Sequence, residues 1–495
     1  MNKKVVEAAR AAFPASGPAI TLGAVVHENA CHPEPLVAVP LAMMNRHGLI
    51  AGATGTGKTK SLQLLAEQLS AAGVPVFLAD IKGDVSGIAT PGEANDRITQ
   101  RAKDTGWPWK ATGFPVEFLS LTGQRGAQMR ATVSSFGPLL LAKVLELNDT
   151  QASVLSLVFK YCDDRGLALL DFADLRAVLQ HLTGDGAGEL KDYGGMSTAT
   201  VGVLLREMVE LEQQGAEAFF GEPEFDLDDL MQTREGRGLV SVLELNDVQD
   251  RPALFSTFMM WMLARLYNDL PEVGDLDKPK LVFFFDEAHL LFSGASKEFL
   301  QQVQQVVRLI RSKGVGVFFV TQSPKDIPAD VLGQLGHRVQ HALRAFTPDD
   351  DKALKAAART FPKTDFYDIE EVLTTLGTGE ALVTVLTARG TPTPPFATRM
   401  IPPAARMSPL DEAEMRQRLA SAQVKKYAEA VDRESARELL AKRMANVPEP
   451  APAPLPGRTG GSRRAPPSTL QTILKSPTTR SLANTVVRGV LGALL

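Results

Sequence analysis

Covalent cross-links are nearly absent from this chain: its 495 residues include two cysteines, Cys31 and Cys162. Two thiols cannot build a disulfide framework, so the sequence points to a reducing, cytoplasmic compartment. Aromatic side chains are sparse, at 6%, and no aromatic-plus-basic surface, zinc finger or helix-turn-helix offers itself as a DNA reader. Long apolar runs are missing as well. The most apolar helical stretch, 253–270, carries Ser256, Arg265, Asn268 and Asp269, which suits a buried helix and argues against an integral membrane segment. Residues 1–10 are mixed and helix-like, unlike a basic-then-apolar leader. With 44% apolar residues and a net charge of −4, disorder is excluded for most of the chain.

The small net charge hides a gradient. From residue 451 onward there are six basic residues (Arg458, Arg463, Arg464, Lys475, Arg480 and Arg488) and no Asp or Glu, which leaves a balance of −10 before it. An acidic body argues against a protein that coats nucleic acid non-specifically, while a narrow basic channel stays compatible with it.

Residues 48–121 alternate apolar runs with helical patterns. Strands are predicted at 47–51, 74–79 and 115–119, and a helix at 61–72. Strand, helix, strand at this spacing means an α/β fold with a parallel sheet. The pattern turns helical over 123–235, and strand signals resume at 239–243, 281–285, 315–320, 338–343 and 381–386. The expected organisation is an N-terminal segment (1–47), a core (48–122 and 236–400) and a helical insertion (123–235). Residues 401–445 carry one long helix over 408–445, with Ser408 as N-cap before Pro409. A linker follows at 446–467, with seven prolines in 22 residues. The tail, 468–495, ends in an amphipathic stretch from Arg480 whose docking on the body or a neighbouring subunit is favoured over a membrane surface.

The chemistry concentrates at the ends of the apolar strands. Gly52, Ala53, Thr54, Gly55, Thr56, Gly57, Lys58 and Thr59 spell a complete P-loop between a strand and a helix, and the nucleotide-binding stretch extends to Lys60. Its glycines let backbone N–H groups face phosphates at a helix N-terminus. Lys58 is assigned to the β- and γ-phosphates of ATP, and the Thr59 hydroxyl to Mg2+. The run 281–285 is a buried strand ending in Asp286 and Glu287. Asp286 suits the Mg2+ water shell and Glu287 the attacking water, the plain alternative being a capping pair. Asp286–His289 spell Asp-Glu-Ala-His, yet the downstream motifs of DEAH-box helicases are absent, so His289 reads as packing or hydrogen-bonding at a helix start, with a coupling role as the alternative.

The strand at 315–320 ends at Thr321 and Gln322, which makes Gln322 a candidate sensor of the γ-phosphate. A helix predicted over 301–311 bears Arg308 and Arg311 on one face. Arg311 is the first candidate for an arginine reaching a neighbouring subunit's site, followed by Arg308, Arg338 and Arg344; a solvated basic face is the alternative. Asp80 and Lys82 follow the second strand and either order the nucleotide site or touch a polymer substrate. His27, Cys31 and His32 lack a fourth ligand at zinc-like spacing.

These motifs together resemble the HerA/FtsK group of P-loop ATPases, most of all the bacterial HerA-like proteins of the YjgR type. The segments that carry the likeness are 45–59, 80–84, 285–289, 320–324 and 336–344. The resemblance implies a RecA-like core of the additional-strand, catalytic-glutamate type. It further implies a hexameric homo-oligomer acting on DNA as a translocase or helicase, with a nuclease or other protein as a possible partner. By position, Lys58, Thr59, Asp286, Glu287, Gln322 and Arg311 carry over as the nucleotide-site set. A nucleotide-gated assembly protein that moves no DNA is the competing reading of the same residues.

Overall fold

The computed structural model describes residues 2–13, 17–292, 297–431 and 433–445; the Pro-rich linker and the amphipathic tail lie outside them. Residues 1–444 form one compact unit, organised on a single large sheet. In chain order the strands are β1 (Ala19–His27), β2 (Ala30–Pro40), β3 (Gly48–Ala51), β4 (Val76–Asp80), β5 (Val116–Ser120), β6 (Ala127–Gln128), β7 (Thr233–Arg234), β8 (Arg237–Gly238), β9 (Val240–Glu244), β10 (Leu281–Phe285), β11 (Val315–Thr321), β12 (His337–His341), β13 (Glu380–Thr384) and β14 (Phe396–Met400). Twelve of them join in the order β2-β1-β14-β13-β12-β3-β11-β10-β4-β9-β5-β6, while β7 and β8 make a separate small hairpin.

Eight neighbouring strands, β12 through β6, run parallel, and β13, β14, β1 and β2 extend the sheet antiparallel. The parallel part is buried on both faces, which is why its strands read as unbroken apolar runs. Alternate residues feed two cores. Phe283 and Phe285 point into one with the helices of 123–235, and Val282 and Phe284 into the other with helix α2 (Lys58–Ala71). The insertion is therefore continuous with the sheet's core, since Leu155, Phe219 and Leu230 pack in the same cluster as Phe283.

Three expectations change. The N-terminal segment, read as helix-like over 1–10 and unassigned beyond, supplies helix α1 (Asn2–Ala12) and also the β1–β2 pair that closes one end of the sheet. The expected helix over 408–445 is three short ones, Glu412–Arg418, Ala422–Tyr427 and Ala436–Ala445, and the N-cap of the first is Asp411 rather than Ser408. Helical propensity yields there to anchoring contacts: Arg418 donates to the Ala89 carbonyl at 3.0 Å, and Tyr427 stacks on Phe225 and donates to Asp229. The expected helix over 301–311 runs Lys297–Leu309 and tightens into a 3-10 turn, Ile310–Lys313, that carries Arg311. Among the described residues, no helix is long and apolar enough to cross a membrane.

Candidate functional site

Parallel strands set in register deliver their C-terminal ends to one edge of the sheet. Thr321 sits beside Ala51, Phe285 beside Ala79, and Asp80 beside Glu244. The loops leaving these ends carry the P-loop, Gln322, the Asp286–Glu287 pair and Lys82, so residues far apart in sequence become neighbours. Strand β11 stands between the P-loop strand β3 and the Asp-Glu strand β10, the additional-strand arrangement.

The P-loop hangs from both flanking strands: Gly52 N–H donates to Thr321 O at 3.3 Å, and Ala53 N–H to Ala342 O at 2.8 Å. Gly52, Gly55 and Gly57 all have positive φ, and a Cβ on Gly52 would lie 2.5 Å from the His341 Cβ. His341 braces the loop from beneath. Its Nδ1 meets Glu380 O at 2.8 Å and its Nε2 meets Ser61 Oγ at 2.9 Å. Gly379 N–H donates to Thr56 O at 2.8 Å, and Arg101, on helix α3 (Asp96–Thr105), holds the carbonyls of Thr378 and Gly379. Helix α2 starts at Lys58, and its first intrahelical donor is Ser61 N–H to Gly57 O. The N–H groups of Lys58, Thr59 and Lys60 are thus left for an anion. Lys58 folds back, Nζ to Ala53 O at 3.2 Å, and burial lowers its pKa. The Lys60 ammonium is turned away to the Met407 carbonyl, so its side chain is spent there and only its backbone belongs to the cradle.

Asp286 and Glu287 are both buried. Asp286 Oδ1 accepts the N–H of Glu287 at 2.9 Å, while Oδ2 has no partner. Burial, reinforced by Glu287, Asp80 and Asp84, pushes the Asp286 pKa up to about 7. Carboxylate oxygens of Asp80, Asp84 and Asp286 lie within 4.8 Å of one another. Asp80 is saturated by the N–H groups of Gly83, Asp84 and Val85, at 2.8, 3.3 and 2.9 Å. Asp286 Oδ2 and Asp84 Oδ1 are buried without partners, and such orphaned acceptors suit Mg2+. Glu287 takes a left-handed φ of 46° and forms an ion pair with Lys82. Burial would raise its pKa, but the Lys82 bond and the charges of Lys82, His289 and Lys58 carry it below the usual carboxylate value. His289 Nδ1 lies 3.2 Å from Glu287 Oε2 with no hydrogen bond between them, so it faces the glutamate from the start of its helix.

Gln322 is exposed at the end of β11, lining a cavity of about 840 Å3 with Ala53, Thr54, His289, Arg344 and Phe346. Arg311 is not at this edge. It precedes β11, at the opposite end of the sheet, 3.9 Å from Asp275, with Arg308 on the same shallow surface. Arg338 donates to Leu332 O at 3.4 Å. Arg344 is the one of the four candidate arginines that lines the cavity beside the P-loop. The sequence reading missed Asp84 and left the role of Lys82 open; the Asp-x-Lys-x-Asp run straight after a buried strand was the available signal.

The fold is that of a RecA-like P-loop ATPase. Two solved structures are similar across most of their length: the bacterial conjugative coupling protein TrwB lacking its first 70 residues, and plasmid coupling protein TrwB in complex with ADP and Mg2+. They cover 81% and 81% of this chain and 92% and 94% of their own, at 15% and 15% identity and TM-scores of 0.51 and 0.50. A family profile described as "Helicase HerA-like C-terminal" matches residues 27–485, and the chain belongs to that family. It is 28% identical over 151 residues to "Probable helicase MJECL08" of Methanocaldococcus jannaschii (29% of this chain, 28% of the relative). It is 29% identical over 150 residues to "DNA double-strand break repair helicase HerA" of Sulfurisphaera tokodaii (30% of this chain, 29% of the relative). The matches span under a third of each relative's length.

Proposed function

We propose that this protein is an ATP-hydrolysing motor that acts on DNA as a homo-oligomer, with a hexameric ring as the expected assembly. The observation that carries the hydrolytic reading is Glu287, a buried carboxylate one residue beyond Asp286 on the edge that holds Lys58. In this reading the N–H groups of the P-loop and Lys58 bind the triphosphate. Thr59 and the partnerless Asp286 Oδ2 would hold Mg2+, which when bound would supply charge neutralisation of the phosphates. Glu287 takes a proton from the attacking water, and Gln322 reports whether the γ-phosphate is present. Arg311, at the far edge of its own sheet, serves only a neighbouring copy, as an intersubunit finger would. DNA as substrate is supported by the family and by the helicase names of the two relatives.

The test is ATP turnover of the purified chain with and without single- and double-stranded DNA, beside Glu287→Gln. Turnover that rises several-fold with DNA and drops about 100-fold or more in the variant is expected. Turnover indifferent to DNA would remove nucleic acid from the reading and turn attention to a protein partner. Hydrolysis that survives Glu287→Gln would refute the assigned base.

A further inference from the structure

We infer that Lys82 is a positioning residue that latches Glu287 in the nucleotide-free protein and exchanges this carboxylate for the γ-phosphate when ATP binds. The inference rests on Glu287 being the base, and it concerns what holds that base idle. Lys82 Nζ bonds Oε1, whereas Oε2 has no hydrogen-bond partner, although His289 Nδ1 stands 3.2 Å from it. A carboxylate held by an ammonium is a poor acceptor for a water proton. The site as it stands is therefore assembled but closed.

The surrounding geometry limits what can move. Asp80 ties down the N–H groups of Gly83, Asp84 and Val85, so the loop bearing Lys82 has a fixed backbone. Glu287 is fixed too, with its N–H on Asp286 Oδ1 and 4% of its surface exposed. The side chain of Lys82, by contrast, is 48% exposed, and its four-carbon stem is free to swing. Lys82 also lies close enough to Lys58 for the two ammonium groups to repel. A γ-phosphate arriving between them brings more negative charge than one carboxylate and relieves that repulsion. It draws Lys82 off Glu287, freeing the base only when there is a phosphate to attack. ADP, lacking that group, leaves the latch shut.

Exchange makes a prediction about binding that is separate from turnover. Breaking the Lys82–Glu287 pair opposes ATP binding and leaves ADP binding alone. Affinities of a non-hydrolysable ATP analogue and of ADP, each with Mg2+, would be measured on the full chain, wild type and Lys82→Ala, Lys82→Arg, Glu287→Gln and the Lys82→Ala/Glu287→Gln double variant. Lys82→Ala should weaken the analogue about tenfold relative to ADP, and Lys82→Arg should restore most of the preference. Glu287→Gln should tighten the analogue several-fold with ADP unchanged, and this gain should vanish in the double variant. An analogue-to-ADP ratio unmoved in Lys82→Ala, or a gain that persists in the double variant, overturns the exchange. Steady hydrolysis in Glu287→Gln would instead sink the assignment of the base, an outcome the binding cycle does not depend on.

Discussion

Glu67 gives the most demanding test of the packing beneath the site. It lies on α2, two and a half turns beyond Lys58, with 2% of its surface exposed. Its two oxygens accept the N–H groups of Ala404 and Ala405, at 2.6 and 3.1 Å. Burial pushes its pKa up to about 8 from a usual 4.5, against the pull of those two bonds. Between these values the folded protein keeps a proton that the unfolded chain has released. Stability contributed by this group is therefore intact below about pH 4.5 and lost as pH rises toward 8, at up to about 1.4 kcal/mol per pH unit. The upper bound over the window is about 5 kcal/mol. Glu67→Gln removes the titration but turns an NH2 group toward one of the two backbone donors, costing about 1–3 kcal/mol at every pH. The variant should then be less stable than wild type at pH 5 and equal or more stable at pH 8. Urea unfolding at pH 5, 6.5 and 8 reads the difference. A gap that keeps its sign and size across the three values would refute the buried, proton-holding carboxylate.

Two further outcomes follow, one at the P-loop and one at the opposite edge of the sheet. Gly52→Ala must place a Cβ 2.5 Å from His341 at a φ of +152°, whereas Gly55→Ala meets nothing within 4 Å. The first should lose about 2–4 kcal/mol of stability and most ADP affinity, the second about 1 kcal/mol, as read by thermal melts and ADP titration. His337 is buried, with Nε2 on Met43 O at 2.8 Å and Nδ1 accepting Leu386 N–H at 3.3 Å, so its neutral form is required and burial lowers its pKa to about 4. The unfolded chain takes up the proton first as pH falls from 6.5 toward 4, and stability drops over that window by about 2 kcal/mol at pH 5. His337→Gln should flatten that part of a pH–stability profile; an unchanged slope would count against a neutral His337.

The motifs needed no tertiary information to be read. A P-loop of three glycines before Lys58 and Thr59, and a five-residue apolar run ending in Asp286 and Glu287, carry local physics: positive φ, free N–H groups at a helix start, a strand buried on both faces. The parallel sheet was legible for the same reason, because its strands are continuous apolar runs whatever lies beside them. The placement of Gln322 at a strand end could likewise be anticipated. The β1–β2 pair escaped notice because β2 is largely half-buried or exposed and carries Pro33, Pro35 and Pro40, which hide a strand pattern, and its partner β1 was passed over with it.

Local sequence determined the chemistry available: which residues can cradle phosphate, hold a cation or accept a proton. Tertiary structure decided which of them meet. Lys82 faces Glu287 because β4 and β10 are neighbours in register, 205 residues apart along the chain. The same register puts His341 under the P-loop, and Arg311 at the far edge of its own sheet because it precedes the strand that Gln322 ends. Side-chain periodicity acts over a few residues, whereas strand order is set by how two whole faces of a sheet are buried. That global packing, beyond the reach of any single segment, turned a set of motifs into a closed site with a lysine on its base.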